Sequence, residues 1–171
     1  MRVKAVVGGL ICTGLLVSGC GTVSGQAEPE NPTVSDPVFD PCDGIPDDVI
    51  RSIGLDPATK ERDIGGVHQP GWNICGWDNA EHFLSVFAMN YSMDDVRRNP
   101  EYSDFEPLEL DGRSAVRYRS RDIPVDERCY VAVPSEAGVV MVTVTMRTSK
   151  AADPCEVVVD SSKRLLPHLP Q

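Results

Sequence analysis

The chain has 171 residues, with 16 Lys or Arg against 26 Asp or Glu, so its formal net charge is −10. This acidic excess argues against a nucleic-acid-binding protein and against a polybasic patch on an anionic membrane, because both need clustered basic residues. An apolar content of 41% is too high for a wholly disordered chain. The length suits one domain with a tail and leaves little room for two full cores.

The N-terminus has the pattern of an export signal that ends at a lipidation site. Two basic residues precede about thirteen mostly apolar or small residues, a run that is too short for a transmembrane helix of roughly 20 residues. The sequence VSGC, ending at Cys20, then matches the bacterial lipobox, in which the cysteine thiol accepts diacylglycerol. We expect residues 1–19 to be the signal peptide and Cys20 to anchor the mature chain on the extracytoplasmic side of the cell membrane. An ordinary secretory signal with a chance cysteine is the alternative.

Residues 20–40 are predicted to be the lipidated cysteine and a disordered tether. The segment 21–40 contains three Pro and four acidic residues, and it has no Lys or Arg. Such a composition cannot bury enough apolar surface to fold by itself. Without the leader, the chain has 14 basic and 26 acidic residues, and its net charge becomes −12.

Residues 41–171 predict a single α+β domain, in which an antiparallel sheet of about five strands packs against N-terminal and C-terminal helices. The first helix is expected over 45–54, because Pro46 suits its first turn and Gly54 its end. Content of β-branched and aromatic residues predicts strands over 72–77, 83–91, 114–119, 128–133 and 139–146.

Two further helices are predicted from their capping residues. A short helix over 93–98 can be capped by Ser92, and the sequence Asn-Pro that follows it would end it. A C-terminal helix begins at Asp153, which can act as the N-cap with Pro154 at the first helical position, and it extends to about Leu166.

Four cysteines remain for the folded domain, because Cys12 leaves with the leader and Cys20 takes the lipid: Cys42, Cys75, Cys129 and Cys155. An exported protein lies in an oxidising space, so we expect two disulfides, for which three pairings exist. We favour Cys42–Cys75 and Cys129–Cys155, because each bridge then ties a terminal helix to a neighbouring strand. A zinc site is the alternative, but no two of these cysteines have the close C-x-x-C spacing that is usual for zinc.

Several of these motifs together resemble a known group of proteins. The lipobox and tether are followed by DPC at 40–42, CGW at 75–77, DPCE at 153–156 and LLPHLP at 165–170. This pattern resembles actinobacterial lipoproteins that carry a domain of unknown function, and it covers nearly the whole mature domain. A looser likeness is to the extracellular two-disulfide sensor domains of mycobacterial serine/threonine kinases. The resemblance implies an envelope lipoprotein and supplies neither a catalytic residue nor a ligand.

No catalytic or metal-binding motif stands out in the sequence. The three histidines, His68, His82 and His168, are too scattered for a metal triad, and H-E-x-x-H, G-x-S-x-G, S-x-x-K and a Gly-rich phosphate loop are all missing. Acidic residues between 40 and 48 lack the Gly and the distal Glu of a calcium loop, and acids are expected at a helix start. We therefore expect no catalytic residue, no metal and no cofactor.

Two groups of residues are candidates for a binding surface. Trp72 and Trp77 flank Cys75, and their rings either line a ligand groove or pack against a disulfide and the sheet. Four arginines occupy odd-numbered positions and would share one face of an unbroken strand: Arg113, Arg117, Arg119 and Arg121. That face is either a solvated surface or a site for wall polymers or an acidic partner.

These observations favour a non-enzymatic binding or interaction module, held on the membrane by diacylglycerol on Cys20. Its partner would be an envelope component or a membrane protein, and no nucleic acid is expected. The alternative is a sensor or accessory subunit of a membrane kinase or transporter. An enzyme acting on wall or lipid substrates is less favoured, because no nucleophile–base pair is visible.

Overall fold

The computed structural model describes residues 35–148 and 152–171. These residues belong to one compact unit. The predicted signal peptide, Cys20 and most of the predicted tether lie outside the described residues. Within them, the fold is α+β with one antiparallel sheet, as the sequence predicts.

Seven strands form the sheet, and every neighbouring pair is antiparallel. In chain order they are β1 (Asp56–Arg62), β2 (Trp72–Asp78), β3 (His82–Met89), β4 (Tyr102–Leu110), β5 (Arg113–Ser120), β6 (Arg128–Ser135) and β7 (Gly138–Met146). Their spatial order is β1-β2-β3-β7-β6-β5-β4. The long β7 is therefore central, and β1 and β4 are the two edges.

The helices are short except for the last one. They are α1 (Pro41–Gly44), α2 (Asp47–Ser52), α3 (Asp63–Gly66), α4 (Met93–Arg98) and α5 (Pro154–Leu165), with a 3₁₀ turn at Leu166–His168. Side chains of α1, α2 and α5 share a hydrophobic core with one face of the sheet. Helix α4 packs on the opposite face through Val96.

The sheet has two more strands than the sequence predicts, and both of the missed strands are edges. Strand β1 has the sequence DPATKER and β4 has YSDFEPLEL, so both are polar and each contains a proline. Proline and charged residues are tolerated at a sheet edge, because the edge backbone groups need no partner strand there. The same composition hides an edge strand from predictions based on β-branched and aromatic content.

The predicted helix over 45–54 is confirmed only as the shorter α2, and a separate helix, α1, lies before the predicted range. Pro46 is the N-cap residue of α2 rather than a member of its first turn, and α1 precedes it with Asp40 accepting a hydrogen bond from the backbone N–H of Cys42. Gly54 follows α2 with a φ of 80°, which agrees with its predicted role at the helix end. The other caps are confirmed: Ser92 forms a capping box on α4, and Asp153 caps α5.

Both disulfides have the pairing that the sequence favours. Cys42–Cys75 joins α1 to β2, and Cys129–Cys155 joins β6 to α5. All four cysteines are buried in the core between the sheet and the helices. The bridges therefore fasten helices from the two ends of the domain to the same face of the sheet.

Candidate binding groove

The sheet has apolar side chains on both faces, but only one face is covered by α1, α2 and α5. Side chains alternate along a strand, so Leu84 and Val86 of β3 point into the helix-covered core. Their neighbours Phe83 and Phe87 point to the opposite side, which we call the open face. Helix α4 covers one end of the open face, and the rest forms a groove.

The groove has a volume of about 590 Å³ and a largely apolar lining that includes five aromatic residues. Its residues come from strands β2 to β7, from α3 and from nearby loops: Ile64, Trp72, Phe83, Ser85, Phe87, Glu101, Tyr102, Ser120, Ile123, Arg128, Tyr130, Met141, Thr143 and Thr145. Cross-strand pairing explains this set, because Phe87 pairs with Met141 and Ser85 pairs with Thr143. Paired residues in neighbouring strands present their side chains on the same face.

At one wall of the groove, the lining residues Tyr102 and Tyr130 belong to a cluster of aromatic rings. Tyr130 lies parallel to Tyr118, with ring centroids 5.0 Å apart, and Tyr102 meets Tyr118 edge-on at 4.8 Å. Phe105 stacks on Tyr118, with ring centroids 5.2 Å apart. The Tyr118 hydroxyl donates a hydrogen bond of 2.8 Å to the sulfur of Met141. Edge strand β4 supplies Tyr102 to the lining and Phe105 to the cluster behind it, so the strand that was missed in the sequence contributes to this wall.

Trp72 stands where the groove joins two smaller hollows. One hollow, of about 250 Å³, lies beside α4, and the other, of about 350 Å³, lies beside α3. The Trp72 indole meets Phe87 and Tyr91 edge-on, with centroid distances of 6.1 and 5.3 Å. Three exposed hydrophobic residues line these hollows: Ile64, Val67 and Tyr91. Most of the large exposed hydrophobic residues of the described chain thus lie around Trp72.

Gly76 makes room for one of the aromatic rings of the groove. A Cβ atom at this position would overlap the ring of Phe83. Gly76 pairs with Ser85 in the neighbouring strand, so the Phe83 ring lies over a point of the sheet that has no side chain. The glycine in the motif CGW is therefore a packing requirement of the open face.

One end of the groove is polar. The Thr143 side chain is only 6% exposed, and its hydroxyl has no hydrogen-bond partner among the described residues. Nearby, the Arg128 Nε donates a hydrogen bond of 2.8 Å to the Thr145 hydroxyl. Within the part of the chain that the structure describes, Arg128 makes no ion pair. A buried hydroxyl without a partner is destabilising, so this end of the groove offers a ligand an unfilled hydrogen-bonding position.

The phenols of the groove remain neutral donors. Burial raises the pKa of Tyr102 to about 12, with smaller contributions from Tyr130 and Glu101. Burial also raises the pKa of Tyr118 well above its ordinary value. Neither tyrosine can therefore serve as a base near neutral pH, and the lining described above contains no histidine, cysteine or lysine.

The structure separates the two predicted tryptophans. Trp77 is completely buried on the helix-covered face, in the same core as the two disulfides. Trp72 lies on the open face, because its position in β2 differs from that of Trp77 by an odd number of residues. Of the two roles considered, Trp77 takes the packing role and Trp72 lines a groove.

The predicted arginines are not part of the groove. Arg113, Arg117 and Arg119 occupy alternate positions in β5, and Arg121 follows the end of that strand. The Arg113 guanidinium donates to the backbone carbonyl of Pro170 at 2.7 Å. Arg117 pairs with Glu106, and Arg119 pairs with Asp153. These guanidinium groups hold neighbouring strands and the C-terminal segment.

The acidic residues near the N-terminus of the domain also have partners within it. Asp40 and Asp43 both pair with Arg62 of β1. His68 lies between Asp36 and Asp63, at 3.1 and 3.3 Å. Across residues 35–148 and 152–171, no group of three or more His, Cys, Asp or Glu side chains is arranged to hold a metal ion.

Most of the groove residues were not singled out by sequence reasoning. The available indication was that β3 is apolar on both faces, with Phe83 and Phe87 alternating with Leu84 and Val86. When the helices of a domain cover only one face of its sheet, a second apolar face stays open or is covered by another molecule.

The chain belongs to a family without an established function. Residues 15–168 match the family model described as "Protein of unknown function (DUF3558)". Searches of curated proteins and of solved structures gave no match. In the described ranges, no helix is both long and apolar enough to cross a membrane.

Proposed function

We propose that this member of the DUF3558 family is a cell-envelope lipoprotein, anchored through Cys20, whose domain binds an amphipathic ligand without catalysing a reaction. The observation that carries the proposal is the aromatic groove on the open face of the sheet. Ligand sites are typically concave, mostly apolar and equipped with a few polar groups, and the groove has all three properties.

The half-buried rings support a binding role over a purely structural one. Trp72, Phe83, Phe87 and Tyr102 remain partly accessible to solvent, although all of them except Phe83 pack against a second buried cluster. Large apolar side chains that stay accessible in one contiguous concave surface mark interaction sites, whereas scattered ones need no explanation. The Thr143 hydroxyl at the polar end of the same groove, which has no partner among the described residues, adds a specific polar contact.

The chemistry of the groove favours binding over catalysis. Its serine and threonine hydroxyl groups, on Ser85, Ser120, Thr143 and Thr145, have no histidine, lysine or cysteine beside them in the lining. A serine or threonine nucleophile needs an adjacent base, and the buried phenols are too weakly acidic to provide one near neutral pH. The single carboxylate of the lining belongs to Glu101, which is exposed at the rim.

The sequence and the disulfides support the envelope location. The lipobox VSGC places a nucleophilic cysteine after small residues, and Cys20 would carry at least two acyl chains, which give stable anchoring. Both disulfides of the domain are buried, and such bridges persist in oxidising compartments. If the protein is instead a sensor or accessory subunit, it would use the same groove and respond to whether a ligand is bound there.

Native mass spectrometry of the lipoprotein purified from membranes tests the proposal. We expect a co-purifying amphiphile that dissociates as one defined species, together with the mass of the acyl chains on Cys20. Cys20→Ser should remove the acyl mass and release the protein from the membrane fraction.

A blocking variant locates the ligand. Ser85→Phe places a ring in the middle of the groove and should abolish the co-purifying species. Ser52→Phe is the matched control, because Ser52 is exposed on α2, on the other side of the sheet. A ligand that is retained by Ser85→Phe, or a preparation that contains none, would contradict a binding role for the groove.

A further inference from the structure

We propose that the ligand is a single-chain amphiphile with an anionic head, bound with its head at Arg128 and its chain directed toward Trp72. This inference rests on the proposed function, because it assigns the ligand class and the ligand orientation of the same groove. It is carried by the order in which polar and apolar side chains follow one another across the sheet.

The polar end consists of two neighbouring cross-strand rows. In the first row, Arg128 of β6 pairs with Thr145 of β7, which pairs with Phe83 of β3. In the second row, Tyr130 pairs with Thr143, which pairs with Ser85. The row that contains the only basic side chain of the lining thus adjoins the row that contains the unpartnered, buried Thr143 hydroxyl. A head with acidic oxygens would accept hydrogen bonds from both residues.

The next rows are apolar. Ala132, Met141 and Phe87 pair across β6, β7 and β3, and Phe87 pairs with Ile74 of β2. Beyond them, Trp72 pairs with Met89. Of the two hollows at Trp72, the one beside α3 is lined by apolar side chains and one Gln, with no charged residue: Ile64, Val67, Gln69, Trp72, Ile74 and Phe87. This hollow therefore suits a hydrocarbon chain.

The length of the groove fits a head and one chain. Rows on one face of a strand are two residues apart, or about 7 Å, so the three steps from the Arg128 row to the Trp72 row span about 20 Å. A bilayer core of about 30 Å contains two layers of chains, so a single chain is about 15 Å long. The remaining distance is available for the head.

The polypeptide segment that leads from Cys20 enters the domain beside the apolar end of the groove. Asp36 accepts a hydrogen bond of 2.8 Å from the backbone N–H of Gly71, which precedes Trp72, and the Asn90 side chain donates to the Ser35 carbonyl. The 14 residues of the segment 21–34 reach at most about 50 Å from this point to Cys20.

With this attachment point, a ligand in the groove has the same orientation as a lipid in the outer leaflet of the membrane. The lipid anchor is tied to the Trp72 end of the groove, and the Arg128 row lies farther along the sheet. A lipid in the outer leaflet also has its chain toward the membrane and its head away from it. The groove would therefore receive such a molecule in the orientation that it already has in the leaflet.

Glu101 is the acidic side chain that an anionic head would meet in this groove. Its residue is exposed, and in the described part of the chain it forms no ion pair with Arg128. Water screens the repulsion between an exposed carboxylate and a nearby anion, whereas the half-buried Arg128 acts in a less polar environment. The head therefore gains more from Arg128 than it loses to Glu101.

Quenching of Trp72 fluorescence by brominated lipids tests the inference. The full mature chain is used with Cys20→Ser, so that its own acyl chains do not compete. The probes are 9,10-dibromostearate and its uncharged glycerol monoester, both below the concentration at which they form micelles. We expect saturable quenching by both probes. The anion should bind about tenfold more tightly, because its carboxylate makes a charge-assisted hydrogen bond with Arg128 that the uncharged ester lacks. Trp72→Phe should abolish the quenching, because Trp77 is buried on the opposite face.

Matched arginine variants identify the head position. Arg128→Gln should remove the tenfold preference for the anion, and Arg117→Gln should keep it, because Arg117 lies outside the groove and pairs with Glu106. Equal affinity of the two probes for the unsubstituted groove, or a preference that survives Arg128→Gln, would overturn the inference. If neither probe binds while native mass spectrometry finds another ligand in the groove, the inference fails and the proposed function stands. If no ligand is found by either method, both fail.

Discussion

Removing either disulfide should lower the free energy of unfolding by nearly the same amount, although the two bridges fasten different helices. The Cys42–Cys75 bridge spans 33 residues and the Cys129–Cys155 bridge spans 26. If a bridge acts mainly by restricting the unfolded chain, its contribution depends on the logarithm of loop length and hardly on what the bridge contacts. The two loops give about 3.7 and about 3.5 kcal/mol at 25 °C.

The stability losses of the two variants can be compared directly, because the two bridges have similar surroundings. All four cysteines are buried in one core, so replacing them with alanine removes similar amounts of buried sulfur and leaves no unpaired thiol. We expect each double alanine variant to lose about 3–4 kcal/mol in urea unfolding, with the two values agreeing within about 1 kcal/mol. Cys20→Ser is the control and should leave the unfolding curve unchanged, because Cys20 is predicted to take no part in the fold.

A large difference between the two double variants would refute the reasoning. If the Cys129–Cys155 variant lost 2 kcal/mol more than the other, the bridge to α5 would act by holding native packing and not by restricting the unfolded chain. A loss below about 1 kcal/mol in both variants would show that the unfolded chain is already compact. Either result would remove the loop-length argument for this domain.

Three further outcomes are expected. Burial lowers the pKa of His82 from 6.5, so its contribution to stability is present above about pH 6.5 and lost as the pH falls through the lowered pKa. Hydrogen bonding and charge from Asp63 and Asp36 raise the pKa of His68, so its contribution to stability is present below about pH 6.5 and lost as the pH rises through the raised pKa. NMR titration should give His82 a pKa below 6.5 and His68 a pKa above it. Equal titration midpoints for the two histidines would contradict this prediction. Gly138→Ala should destabilise the domain by about 3 kcal/mol or more in urea unfolding, because its Cβ would overlap the backbone carbonyl of Met89. Gly112→Ala, which also has a positive φ but meets open space, should lose only about 1 kcal/mol, and equal losses would show that the overlap is relieved.

Local features of the sequence predicted the elements whose residues interact with near neighbours. The caps Ser92 and Asp153 were identified because an N-cap acts on backbone groups two or three residues away. The central hairpin of β6 and β7 was identified from runs of valine. The disulfide pairing followed from the order of elements, because each cysteine lies beside a terminal helix or a strand that this helix covers.

The edge strands and the groove could not be predicted in the same way. Strands β1 and β4 contain Pro57 and Pro107 with mostly polar neighbours, so their strand state depends on pairing with β2 and β5 and not on their own composition. The groove depends on which face of the sheet the helices cover. Trp72 and Trp77 are five residues apart in one strand, so alternation places them on opposite faces, but only the fold shows which of these faces the helices cover.

Locating a bound probe in a crystal tests the central claim most directly. The anomalous scattering of bromine would give the position of 9,10-dibromostearate bound to the mature chain. We predict that both bromine atoms lie on the open face between Met141 and Trp72, with the carboxylate at Arg128. Bromine peaks on the helix-covered side, in the hollow between α2 and α5, would contradict the account, as would a fully ordered open face with no bromine on it.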